Sequence, residues 1–591
     1  MKNKGYPKMK GNMAEMNKEK SAKIINLPKD VRLCERVGDV RDFCRVIEKH
    51  GDKVLFTYFD SSRQLHDITY AEFTRKVKCL AASFTNRGLA GKRIAIIGET
   101  SVNWVASYLA IIATGGVAIP LDKELEVSVI EDFMSNVDAY ALIYSESFNG
   151  RFENAMKNHS SLSCFIPMAP SQAELDLCDK IIPIETLYSD GERDVAARYR
   201  IPEVKNRDAL AEFLFTSGTT GTSKCVMLSQ KNIFSVVSSA GATVHFTPDD
   251  TIVSLLPIHH TYELACMLAA MDYGMHICIN DSLTHVLKNL QLFKPTGLIL
   301  VPLYIYTFYK KIWAEAKKSG SDKKLKLGII AARSLYKLGI DKRRYLFAKV
   351  LSSFGGRLEK IICGGAALNP RMIEFFDTLG VSIYEGYGIT ECAPLTCVTP
   401  YYDRKYASVG PAVPCCQIRI DAQYTNDKGY DEGEIQVKGD NVMLGYYNNP
   451  EATAKAFTDD GWFRTGDMGY LDKDQYCFIT GRLKTVIVLE NGKNVFPEEI
   501  EEYLANIDLI AECAVIGRTS GSEVLLTALV YPDSSKFEEG ASKDEMQEMI
   551  QKKINELNKT LPTYKHIKIV ELRDTEFEKT TSRKIKRHLL S

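Results

Sequence analysis

The sequence predicts an α/β protein. It has a large N-terminal domain of two α/β layered subdomains plus a small β-barrel, then a small α/β C-terminal domain. Three observations carry this prediction. From Val40 onward helical and strand-like periodicities alternate, the pattern of a parallel sheet covered on both faces. Between Ser408 and Ile479 the apolar runs shorten and turn signals multiply, as at Asp427-Lys428-Gly429 and Asp459-Asp460-Gly461. Beyond Gly481-Arg482 the helix–strand alternation resumes to the end of the chain. At 591 residues there is room for more than one core. The boundaries expected are a disordered basic tail over 1–30, an N-terminal domain over 31–481 and a C-terminal domain over 482–591.

In chain order, the tail carries Lys2, Lys4, Lys8, Lys10, Lys18, Lys20 and Lys23 with no apolar stretch after them, so no signal peptide is expected. Phe43–His50 reads as a helix and Val54–Phe59 as a strand. Tyr70–Arg87 has helical spacing and stops at Gly88. Arg93–Ile97 is a buried strand, Val102–Thr114 a helix closed by Gly115-Gly116, and Val117–Pro120 the next strand. Val127–Val137 and Ala141–Tyr144 repeat the unit. A second run begins at Ile252–Leu256, passes Pro257-Ile258-His259-His260-Thr261-Tyr262-Glu263, and continues as a helix to Tyr273. On that helix Ala265 and Ala269, and Cys266 and Ala270, stand four apart. Such rows serve close packing on a sheet, an opening for an apolar tail, or both. Residues 304–354 interleave lysines and arginines with Trp313, Tyr336, Tyr345 and Phe347. This is either a solvated basic helix pair or a surface that meets anionic lipid headgroups. The C-terminal run offers helix Pro497–Asn506, strands Ala511–Gly517 and Leu525–Tyr531, helix Lys543–Lys559 and strand Ile567–Leu572.

Charge and composition exclude several classes. Lys+Arg and Asp+Glu both number 75, which argues against nucleic acid as a partner. The fifteen cysteines are scattered without a Cys-x-x-Cys pair, pointing to buried thiols in a reducing compartment. No apolar run approaches ~18 residues, so no spanning helix is expected.

Chemistry concentrates after the apolar run Phe213–Phe215. There Thr216, Ser217, Gly218, Thr219, Thr220, Gly221, Thr222, Ser223 and Lys224 follow one another. Glycines let backbone approach a ligand, N–H groups and hydroxyls donate to phosphate oxygens, and the lysine adds a mobile cation. A Walker loop requires Gly-Lys-Ser/Thr five residues after its first glycine, and this stretch fails that spacing. A polar surface turn is the competing reading.

Thr216–Lys224 resembles the signature of the adenylate-forming (acyl-activating) superfamily, although relatives usually carry Pro-Lys-Gly where this chain has Ser223-Lys224-Cys225. Further patches match in order, so the resemblance spans nearly all of 40–591. Tyr384-Glu385-Gly386-Tyr387-Gly388-Ile389-Thr390-Glu391 resembles the family's Tyr-Gly-x-Thr-Glu motif. It implies an aromatic face for a purine (Tyr387, Gly388), a hydroxyl at the α-phosphate (Thr390) and a carboxylate for Mg²⁺ (Glu391). Gly364-Gly365-Ala366 resembles the segment against the adenine. Asp467 and Arg482 resemble the ribose-binding pair. His260 aligns with a histidine near the carboxylate and α-phosphate, and Tyr262-Glu263 resembles the long-chain fatty acyl-CoA synthetase branch. Lys584 aligns with the C-terminal lysine that reaches the adenylation site, with Lys579 and Lys586 as close competitors and Arg583 replacing the family glycine.

The resemblance implies ATP-dependent activation of a fatty acid, with Mg²⁺, through an acyl-adenylate, then transfer to coenzyme A. It implies a mobile C-terminal domain that pivots at Lys484, with Asn491-Gly492-Lys493-Asn494 facing the thiol tunnel. Lys584, Thr390, Glu391 and His260 are then the catalytic candidates. The alternative is an acyl-AMP ligase or acyl-[acyl-carrier-protein] synthetase using a protein thiol. Acyl-AMP ligases typically carry an insertion that restrains rotation, and Arg482–Glu498 shows none. A non-catalytic acyl- or nucleotide-binding protein is a third reading. A cytoplasmic protein is expected, with peripheral contact at the inner membrane face as the variant.

Overall fold

The computed structural model describes residues 35–158, 162–216, 224–489, 494–520, 523–538, 540–579 and 585–590. The 1–30 tail therefore lies outside the described residues.

Two sheets of mostly parallel strands form the larger part. The first runs in the order Gly445–Tyr446, Lys224–Ser229, Leu210–Thr216, Val117–Leu121, Arg93–Ile97, Ala141–Tyr144, Cys164–Pro167. The second runs Leu395–Val398, Ser382–Gly388, Lys360–Cys363, Gly297–Leu300, Thr251–Ser254, His276–Ile279, Val54–Phe59, Leu65–Thr69. Strand Val54–Phe59 lies early in the first α/β run in sequence but joins the second sheet, with Phe56 opposite Ile277. Local periodicity marks it as a strand and says nothing of a partner more than two hundred residues away.

The helices between the sheets explain why both are buried. Val102–Ala113 is apolar but for Asn103 and Ser107. Eleven of its twelve residues are buried, with the Ser101 hydroxyl capping its start at Trp104 N. Tyr70–Asn86 begins with a Thr69–Glu72 capping box. One core joins Ile94 and Ile96 of the first sheet, Ile252 and Ile277 of the second, and Trp104 and Leu268 of the helices.

The 408–479 segment is a four-stranded antiparallel sheet, Cys416–Thr425, Asp431–Gly439, Phe463–Leu471, Cys477–Arg482, whose edge strands are not bonded to each other. After it comes a three-stranded sheet, Ile510–Ser520, Glu523–Pro532, Ile569–Leu572, with helices Pro497–Leu504 and Lys543–Asn558 and a core around Ile500, Val515 and Ile554.

The topology positions the site. The segments at Thr216, His260, Gly364 and Gly388 all follow carboxyl ends of sheet strands, where open α/β sheets bind ligands.

Candidate active site

The phosphate-loop hairpin comes first. Strand Leu210–Thr216 runs parallel to Val117–Leu121, then returns as antiparallel Lys224–Ser229 with Thr216 opposite Lys224. Thr216 Oγ1 donates to the Lys224 carbonyl at 3.4 Å. Ser217, Gly218, Thr219, Thr220 and Gly221 lie outside the described residues. Strand Gly445–Tyr446 pairs beside Lys224–Ser229, with Tyr446 opposite Val226. Lys224 Nζ stands 4.5 Å from the Tyr446 ring centroid. The Tyr446 hydroxyl donates to Glu391 Oε1 at 2.8 Å. Burial and the Glu391 carboxylate push the Tyr446 hydroxyl's pKa up, so it stays a donor. Tyr446 thus links the loop lysine to the metal candidate. Sequence reading missed it; the signal was an aromatic pair, Tyr446-Tyr447, ahead of the turn Asn448-Asn449-Pro450.

Thr390 and Glu391 open the short 3-10 turn Thr390–Cys392, just past strand Ser382–Gly388. Gly388 is required there, because a Cβ would fall 1.8 Å from the Pro394 carbonyl oxygen. Among the described residues no three His, Cys, Asp or Glu side chains gather as a metal site. A single carboxylate at Glu391 fits Mg²⁺, which takes one or two carboxylates and completes its shell with phosphate oxygens and water. The ion, when bound, neutralises charge on those oxygens.

The ribose candidates meet across the four-stranded sheet. Asp467 and Arg482 are register partners, and Arg482 Nε lies 3.2 Å from Asp467 Oδ1. Tyr387 donates to Asp467 Oδ2 at 2.8 Å. The Tyr387 ring is buried with Cys397, Ile435 and Cys477, so its hydroxyl rather than an open ring face reaches the site. Gly364, Gly365 and Ala366 follow strand Lys360–Cys363. A Cβ at Gly364 would stand 3.1 Å from Tyr262 Cζ, and Gly365 has φ +84°. Tyr262 is held there by donating to the carbonyls of Leu300 and Ile362 at 3.3 and 3.2 Å.

His260 is the N-cap residue of helix Thr261–Asp272, its N–H donating to Pro257 O at 3.1 Å. His259 packs behind it with ring centroids 4.5 Å apart. Burial and then His260 push the His259 pKa down, so His259 is a neutral, structural ring. Farther along that helix Ala265, Cys266, Ala269 and Ala270 border the cleft, as do Val236 and Ile299. Glu263 bonds the Ser254 hydroxyl. Burial pushes its pKa up to about 8, so the apolar wall carries a neutral acid at neutral pH.

On the C-terminal side, Lys484 borders the cleft two residues past Arg482. Lys584 and Asn491-Gly492-Lys493 lie outside the described residues. The competitors of Lys584 are held by carboxylates of their own domain. Lys579 pairs with Glu512 and with Glu576 at 3.1 Å, and Lys586 lies 3.7 Å from Glu578. Asn369 donates to Asn506 at 3.2 Å across to helix Pro497–Leu504 and its following turn. Nearby Glu385 is pushed up to about 8 by burial and by Glu502. Thr216, Gly364, Glu391, Asp467, Lys484 and Ala265 thus border one cleft of about 3930 Å³.

The AMP-binding enzyme family matches residues 43–447, and the AMP-binding enzyme C-terminal domain family matches 484–591. A long-chain-fatty-acid–CoA ligase of Mycobacterium bovis is 28% identical over 497 residues, covering 80% of this chain and 78% of its own. A chloroplastic long-chain-fatty-acid–[acyl-carrier-protein] ligase of Arabidopsis thaliana is 25% identical over 578 residues, covering 85% of this chain and 78% of its own. The crystal structure of ATP-bound MatB from Rhodopseudomonas palustris superposes with a TM-score of 0.70 at 26% identity, over 93% of this chain and 98% of that one. The chain belongs to the AMP-binding enzyme family.

Proposed function

We propose that this protein is an AMP-forming acid–thiol ligase that activates a long-chain fatty acid with ATP and transfers the acyl group to coenzyme A. The observation that carries the reading is that one cleft is bordered both by the polar side chains of Glu391, Asp467 and Arg482 and by the small apolar side chains of Ala265, Ala269 and Ala270. A carboxylate oxygen attacks the α-phosphorus, the bond to the bridging oxygen breaks and pyrophosphate leaves. A thiolate then attacks the acyl carbon and AMP leaves. Positioned donors and cations act on the charge that develops on phosphate oxygens. Thr216, Lys224, Thr390 and Lys584 take that role, Tyr446 holds Glu391, and the Tyr387–Asp467–Arg482 group receives the ribose.

The domains divide at Arg482–Lys484, and Lys484 is the pivot between the two half-reactions. The substrates are small molecules: fatty acid, MgATP and coenzyme A. A protein thiol is the second reading of the acceptor, favoured by the plant relative named as an acyl-carrier-protein ligase. The protein works in the cytoplasm and meets the inner membrane face peripherally. Among the described residues no helix is long and apolar enough to cross a membrane.

The test is AMP and thioester formation by purified protein with MgATP, coenzyme A and saturated acids of increasing length, with carrier protein as competing acceptor. A maximum at long chains with coenzyme A is expected. Pyrophosphate release without coenzyme A thioester at any length would transfer the reading to the carrier-protein acceptor, and no pyrophosphate release would end it.

A further inference from the structure

The helices after strand Gly297–Leu300 carry a surface that the cleft does not use. Between residues 304 and 354 stand thirteen lysines and arginines against three carboxylates, in a chain whose formal charge is zero. The ion pairs of this stretch are Arg333–Glu374 at 3.6 Å and Arg343–Asp341 at 2.7 Å. Lys317, Lys318, Lys323, Lys324, Lys326 and Lys337 are paired with no carboxylate among the described residues.

Helix Asp322–Lys337 has two apolar faces. Leu325 and Ala332 are buried against the body of the protein. On the far side, Leu327 and Ile330 are 66% and 63% exposed, and Leu338, which continues their row, is 75% exposed. Their spacing of three and eight residues puts them in one stripe, between Lys324 on one side and Lys326 and Lys337 on the other. Tyr345, 82% exposed, follows in the next turn. Scattered exposed apolar residues are ordinary; a stripe of them between unpaired lysines is not.

The preceding helix connects this corner to the cleft. Helix Pro302–Lys318 borders the cavity through Tyr304 and Thr307 near its first turns and ends at the basic corner with Lys317 and Lys318.

We propose that this corner, helix Asp322–Lys337 with the turns that follow to Leu346, docks on an anionic lipid bilayer, the place from which a long-chain acid enters the cleft. The entry step rests on the fatty-acid reading above; the docking does not. Leucine, isoleucine and tyrosine side chains enter the headgroup boundary, while lysines lay their stems along it and keep their ammonium groups at the anionic surface. A second copy of the chain is a poorer occupant. A two-fold interface on this stripe would bring unpaired lysines of both copies together.

The experiment uses the full chain, without nucleotide, with vesicles of phosphatidylcholine alone or mixed with phosphatidylglycerol, at low and high salt. Two double variants, Leu327→Ser with Ile330→Ser and Lys324→Glu with Lys326→Glu, are tested beside it. The expected result is binding at least about tenfold tighter to the anionic vesicles, weakened by salt. Each double variant should lose about tenfold of that binding and most of the turnover of palmitate embedded in vesicles, but keep turnover of palmitate presented in detergent. That retained turnover also shows that the variants fold. Equal binding to both vesicle types, variants that bind like the parent, or a parental dimer that the leucine–isoleucine variant dissociates would each overturn the proposal. A chain that docks on anionic vesicles and activates no fatty acid would leave the surface standing and remove the substrate reading.

Discussion

Where the ribose candidates stand, Asp467 accepts from Tyr387 and pairs with Arg482, while along helix Thr261–Asp272 Ala265, Ala269 and Ala270 border the cleft with small apolar side chains. The first region is held by directional bonds among groups from three strands. The second offers no hydrogen-bonding side chain at these positions, and Val236 and Ile299 border the same cleft. Directional bonds and packing confer different kinds of selectivity. Hydrogen-bonded donors and carboxylates set the geometry of phosphate and sugar. Side-chain volume in a dry wall sets how much hydrocarbon fits, at a modest cost per methylene.

The largest effects are expected at Lys584 and Lys484. Lys584→Ala should lower adenylation, read as pyrophosphate release, by roughly 10²–10³-fold, as for other preorganised donors. Lys484→Pro should leave pyrophosphate release intact and abolish thioester formation. Survival of both half-reactions would remove Lys484 as the pivot. Next in size, Ala269→Phe should cut kcat/KM for long acids by roughly tenfold or more and spare short ones. A uniform loss across chain lengths would place Ala269 outside the acyl limb. Tyr446→Phe removes the donor to Glu391 and should cost roughly tenfold in kcat/KM for MgATP, partly recovered at high magnesium. An unchanged magnesium dependence would disconnect Tyr446 from the metal role.

The smallest effect is on stability. Burial and Glu502 raise the Glu385 pKa from 4.5 to about 8. Between those values the folded protein holds a proton that the unfolded chain has released. This contribution is therefore full below about pH 4.5 and is lost as pH rises to about 8. Glu385→Gln should flatten the fall of Tm across that window. A parallel curve for parent and variant would show that Glu385 ionises freely.

Much of the candidate site was legible because its residues are consecutive. Thr390-Glu391, Gly364-Gly365 and the Thr216–Lys224 stretch each carry their chemistry in a few adjacent letters. Tyr446 was not legible, since its role comes from a strand pairing with Val226 that brings it to Lys224 and Glu391. The Tyr387 reading changed for the same reason. An aromatic in a nucleotide motif suggests a stacking face, and only the fold shows that this ring is packed with Cys397 and Cys477 while its hydroxyl donates to Asp467.

By itself the sequence determined the alternation that makes two parallel sheets, the shift to short antiparallel strands after Ser408, and the order of the chemical motifs. These depend on periodicity and composition, which act locally. Tertiary structure alone decided that Val54–Phe59 joins the second sheet, that Lys579 pairs with Glu512, and that Leu327 and Ile330 face outward between lysines. Each of these depends on which distant surface is left to cover a side chain, and helical or strand spacing carries no information about that partner.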